Sequence, residues 1–148
     1  MFAEINKYKY LYLQDINSVD DISLNINLTV GEVSDQEEEL TINGVTLRGL
    51  RPILKNDSIR IEIVFPSYVA YNVSSESYIV GNEYDLFEGK LAREYSKSRY
   101  LDYIKDNTIA DDVYPGKLRH FGFCSEWHII DVVAINEPKI NIISCSQS

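Results

Sequence analysis

Apolar and polar residues alternate along much of this chain. Tyr8, Tyr10 and Tyr12 alternate with Lys9 and Leu11. Leu24, Ile26, Leu28 and Val30 alternate with Asn25, Asn27 and Thr29, and Ile59, Ile61, Ile63 and Phe65 with Arg60, Glu62 and Val64. A two-residue period sends successive side chains to opposite faces, which predicts half-buried antiparallel strands with one wet face.

The punctuation between these runs supports strands. Asn43-Gly44 separates Leu40-Thr41-Ile42 from Val45-Thr46-Leu47, and both turn residues tolerate the positive φ of a type I′ hairpin. Gly81-Asn82, between Tyr78-Ile79-Val80 and Glu83 to Phe87, predicts a second tight hairpin; Asn56-Asp57 and Glu88-Gly89 are weaker turn signals. One segment departs from alternation. Tyr100, Leu101 and Ile104 stand at helical spacing behind Ser98, a good N-cap, and ahead of Asn107, a stop signal, so residues 98–107 predict one short helix. Tyr114-Pro115-Gly116-Lys117 suits a type II turn. Leu118 to Phe123 and His128 to Ile135 then predict a hairpin closed by Cys124-Ser125-Glu126-Trp127, and Ile140 to Ile143 a last strand. The fold class is mainly β. It is expected to be an antiparallel sandwich or strongly curved sheet of about seven to nine strands, with one helix near 98–107, as a single domain over residues 1–148.

Charge adds what periodicity cannot. Of the net −9, residues 1–40 carry −7, with nine acids against Lys7 and Lys9. A field of that sign repels nucleic-acid phosphates and anionic headgroups, so neither nucleic acid nor membrane is an expected partner; it attracts a basic protein. Glu32, Asp35, Glu37, Glu38 and Glu39 are the residues expected to meet that partner. Eleven tyrosines add rings suited both to half-exposed strands and to recognition surfaces. No apolar run approaches the roughly 20 residues of a membrane helix. The start of the chain lacks the basic and apolar regions of a secretory signal, so a cytoplasmic location and two free thiols, Cys124 and Cys145, are expected.

The densest reactive cluster lies on the last hairpin: His120, Cys124, Glu126, His128 and Asp131. With the turn at 124–127, Phe123 would pair with His128, Phe121 with Ile130 and His120 with Asp131. His120 and His128 then fall on opposite faces, which argues against a shared metal. A cross-strand His120–Asp131 pair survives, able to orient a general base, with Cys124 the nearest nucleophile. Nucleophile-elbow, Walker, zinc-protease and dinucleotide-binding patterns are missing from the sequence, and no cofactor is implied. The leading expectation is therefore a non-enzymatic acidic protein-binding domain, in its sharpest form an immunity- or antitoxin-type inhibitor that covers the cationic groove of a toxin. The alternative is a small-molecule binder or small enzyme using His120, Cys124 and Asp131.

Overall fold

The alternating runs become strands because each can bury one row of side chains against a second sheet. A computed structural model describes residues 1–145. Its elements are α1 (Ala3–Asn6), β1 (Tyr10–Asn17), β2 (Leu24–Val33), β3 (Glu38–Ile42), β4 (Val45–Leu50), β5 (Ile53–Phe65), β6 (Ala70–Ser75), β7 (Leu86–Gly89), β8 (Ala92–Lys97), α2 (Arg99–Asn107), β9 (Arg119–Cys124), β10 (His128–Ala134) and β11 (Lys139–Ser144). The strands form a four-stranded sheet in the order β1-β2-β5-β11, a five-stranded sheet in the order β6-β10-β9-β8-β7, and a separate β3-β4 ribbon. Every pairing between these strands is antiparallel.

The two larger sheets face each other across one core. Leu24, Ile26, Leu28 and Val30 from β2 and Ile61, Ile63 and Phe65 from β5 meet Phe121 and Phe123 from β9 and Ile130, Val132 and Ala134 from β10, all buried. The Phe65 ring lies 5.6 Å from that of Phe121, and Phe2 closes one end with its ring 5.6 Å from Phe123. Burying each of these rings is worth roughly 1.5–3 kcal/mol. The Asn6 amide ties α1 down: its oxygen accepts from Leu91 N and Ala92 N at 2.8 Å, and its nitrogen donates to Ala92 O at 2.9 Å.

A smaller cluster lies on the opposite face of the five-stranded sheet. There Leu101 and Ile104 of α2 pack with Ala110, Leu118 and Val133. Ser98 caps the helix as its position predicts, accepting from Leu101 N at 2.9 Å.

The eleven strands exceed the number that alternation marks, because β6 and β8 carry little of it. Three turns also differ. Gly81-Asn82 closes no hairpin: Asn82 and Asp85 bond to each other through side chain and backbone, and β7 turns through Gly89 (φ 101°) into β8 instead. Asn56-Asp57 lies inside β5, where the register against β2 jumps from Arg60 to Asn56 as a bulge. At Tyr114-Pro115-Gly116-Lys117 the Gly116 φ of 136° lies well off the roughly +80° of a type II turn, and Gly116 N bonds back to Asp111 O at 3.3 Å.

Candidate functional site

Beyond Gly31, which still pairs with Tyr10 of β1, the β2 and β5 strands continue as a two-stranded ribbon, pairing Glu32 with Leu54 and Val33 with Ile53. Ser34 N donates to Pro52 O at 2.7 Å at the end of that ribbon, and β3 and β4 continue beyond it as an arm. At its tip Asn43 (φ 50°) and Gly44 (φ 79°) form the tight turn their types predict. All eleven strand residues of the arm are exposed. The register opposes Leu40 to Leu47 and Ile42 to Val45, so these four side chains share one face, each between 47% and 62% exposed. The other face is polar: the Thr41 and Thr46 hydroxyls bond at 3.0 Å, and Glu39 meets Arg48 at 3.3 Å. An apolar row of this size contributes nothing to the core and is the kind of surface a partner covers.

The five expected carboxylates gather around the arm and its root, but not as an unopposed cluster. Arg51 lies 3.7 Å from Glu37 and Arg48 faces Glu39, because the hairpin folds the basic residues of its return strand back onto the acidic strand. Glu38 has no cation within ion-pair distance among the described residues, while Glu32 accepts from Asn56 Nδ2 at 3.1 Å. Glu32, Asp35 and Asp57, with Lys55, line an open concavity of about 690 Å³ at the root. Lys55 leans over the Tyr12 ring, its Nζ 5.2 Å from the centroid, on one wall of that region. Over residues 32–57 six acids stand against three bases, a local balance of −3.

The second site expected from the sequence lies under α2. His120 Nε2 lies 2.7 Å from Asp131 Oδ1 and Nδ1 lies 2.7 Å from the Ser98 hydroxyl, which accepts from Leu101 N; in the neutral ring with Nε2–H donating to the carboxylate, Nδ1 accepts from Ser98. The pairing that sets this up differs from the expected register. Cys124 pairs with Ile129, Phe123 with Ile130 and His120 with Val133, a shift of two residues that keeps every side chain on its predicted face. The loop closes one residue later because both the amide and the hydroxyl of Ser125 bond to His128 O, at 2.9 and 2.8 Å, with Trp127 at φ 72°. Asp131 consequently opposes Gly122 and reaches His120 on the diagonal. A Cβ on Gly122 would stand 2.9 Å from Tyr95 Cε2 and 3.4 Å from Asp131 Oδ1, so this glycine makes room for the pair.

The imidazole is enclosed. Tyr95 stacks on it at 4.0 Å and 9°, Tyr100 meets it edge-on at 5.2 Å, and His120 is 2% exposed. Burial pushes the Tyr100 phenol up to about 12, helped by the nearby Asp131 charge. Burial raises the Cys124 thiol as well. With both ring nitrogens of His120 engaged by Ser98 and Asp131, neither is free to activate Cys124. His128 lies on the opposite face of the hairpin. Both cysteines are free thiols.

Comparison with protein-family models, curated proteins and solved structures finds no match to this chain. The surfaces themselves therefore carry the functional argument. Ser98, which completes the polar chain through His120, is legible in the sequence only as a helix cap. The apolar face of the arm is legible in the Leu40–Leu47 pattern, but its isolation from the core is not. Among the described residues, no helix is long and apolar enough to cross a membrane.

Proposed function

We propose that this protein is a non-enzymatic binding domain that grips a basic protein with the β3–β4 arm and the acidic concavity at its root. The observation that carries this reading is the arm itself: an apolar row of Leu40, Ile42, Val45 and Leu47 held away from the sandwich, beside carboxylates only partly neutralised by arginines. An apolar centre with a charged rim is the usual anatomy of a protein interface. The rim sets on-rate and partner sign, and the apolar residues supply most of the affinity. In its specific form the protein is an immunity- or antitoxin-type inhibitor whose arm enters the cationic groove of its target.

Replacing both Leu40 and Leu47 with Ser should weaken partner binding at least tenfold, since each loss of 1.4 kcal/mol is a factor of ten. Charge reversal at Glu38 and Asp35 should slow association and flatten its salt dependence. Reversal at Glu37 or Glu39 should matter less, because each is already paired. The reading fails if the isolated partner binds all of these variants as it binds the wild type.

The alternative, chemistry at His120 and Asp131, has less in its favour. An imidazole saturated by two hydrogen bonds and covered by two tyrosines is arranged to anchor α2 to the sheet.

A further inference from the structure

Four strands form the rims of the two facing sheets: β1, β11, β6 and β7. A rim exposes unpaired N–H and C=O groups, and folded proteins blunt it with charge, proline, bulges, shortness or a covering segment. Two of the rims here are blunted along their length. β7 has four residues, including Glu88, and an irregular register; β1 carries Asp15 and a bulge, and its Leu11 carbonyl is taken by Glu126 N at 2.7 Å. β11 pairs regularly and carries a single charge, Lys139, at its first residue. The fourth has no charge at all. β6, Ala70-Tyr71-Asn72-Val73-Ser74-Ser75, pairs with β10 without a register shift and contains no charge and no proline. Tyr71 and Val73 on this rim are 42% and 39% exposed.

We propose that β6 pairs antiparallel with β6 of a second copy of this chain, joining two five-stranded sheets into one ten-stranded sheet. Charge selects this occupant. Two copies of a chain at −9 repel, and β6 is a rim with no charge of its own, so two copies can meet there without opposing like charges, while it offers no carboxylate to a basic protein. Symmetry also selects it. A two-fold axis through Asn72, perpendicular to the sheet, keeps every residue on its own face and sets Tyr71 against the partner's Val73 and Ala70 against the partner's Ser74. An aromatic ring opposite a β-branched side chain is a favourable cross-strand pair.

The area sets the strength. The open portions of Tyr68, Tyr71, Val73 and Trp127 amount to roughly 400 Å² per copy, to which the strand rim adds its backbone. That total lies below about 1,200 Å² for the two copies, the size of a weak, concentration-dependent dimer.

Sedimentation equilibrium from micromolar to millimolar chain tests the proposal. The wild type should rise from its 17.0 kDa monomer mass towards twice that value, and Val73→Lys, which places a charge on the rim, should remain monomeric with an unchanged circular dichroism spectrum. A second measurement is independent of that variant. With Cys124 and Cys145 both replaced by Ser, Asn72→Cys should form an interchain disulfide on mild oxidation, because residue 72 meets its own copy on the axis. Glu76→Cys, about 26 Å from its own copy in that register, should not. A wild type that stays monomeric at millimolar concentration, a Val73→Lys variant that dimerises equally, or equal cross-linking at positions 72 and 76 would each overturn the proposal.

Discussion

Ser98→Ala removes two interactions at once, and their sizes can be worked out separately. The hydroxyl caps α2 through Leu101 N, and losing an N-cap serine costs about 1 kcal/mol. The same hydroxyl donates to His120 Nδ1, and its removal leaves a buried acceptor without a donor, at about 1–3 kcal/mol. The sum is about 2–4 kcal/mol, a large fraction of the stability of a domain this size and equivalent to a fall in Tm of roughly 5–15 °C. Urea unfolding followed by far-ultraviolet circular dichroism measures it. The decisive comparison repeats the substitution in a His120→Phe background, where the Nδ1 acceptor is already gone. There Ser98→Ala should cost about 1 kcal/mol or less, giving a coupling of about 1–3 kcal/mol between the two positions. Equal costs in both backgrounds would refute the claim that one hydrogen-bonded chain joins the helix cap to the sheet.

Three further outcomes are expected. Tyr100 keeps its proton in the folded state to about pH 12 while an unfolded tyrosine ionises near 10, so its stabilising contribution is complete below pH 10 and is lost as pH rises from 10 to 12. Tyr100→Phe should flatten the fall of Tm with pH in that window, and an unchanged slope would contradict the burial argument. Exposed Cys145 should react with a disulfide reagent at neutral pH well before Cys124, whose thiol is raised by burial; equal rates would contradict the placement of Cys124. Amide hydrogens of β3 and β4 should exchange close to unprotected rates while those of β2, β5, β9 and β10 resist, because a two-stranded ribbon without a packed face is marginally stable.

The features legible in the sequence are those whose cause is local. Asn43-Gly44 makes its hairpin because both residues accept positive φ, and Ser98 caps α2 because its hydroxyl reaches the first free amide. The His120–Asp131 pair is legible through face parity, which survives a register error of two residues. Features that depend on neighbours are not legible. β8 reads Ala-Arg-Glu-Tyr-Ser-Lys and buries only Ala92 fully, so its strand state comes from lying between β7 and β9. β6 sits on a rim and its apolar residues stay half exposed, so alternation marks it poorly. Conversely, Tyr78-Ile79-Val80 reads as a strand, yet it finds no partner strand and stays exposed. Arg48 and Arg51 bring the charge of the five expected carboxylates from −5 to −3, which a count over the first forty residues misses because the hairpin brings them back from beyond it.

The claim that the arm is the binding surface is tested most directly by removing it. Ser34 N already donates to Pro52 O across its root, so replacing residues 35–51 with Asn-Gly and Pro52 with Thr, which supplies the amide a tight turn needs, should close the β2–β5 ribbon in a hairpin. Because no arm residue belongs to the core, the Tm of the shortened chain should change by only a few degrees. The measurement is the affinity of one purified basic protein, recovered with the wild type from its source cells, for the wild-type and shortened chains side by side. Submicromolar binding to the wild type, with at least a hundredfold loss in the folded, shortened chain, is the predicted result. Equal affinity for both chains would contradict it.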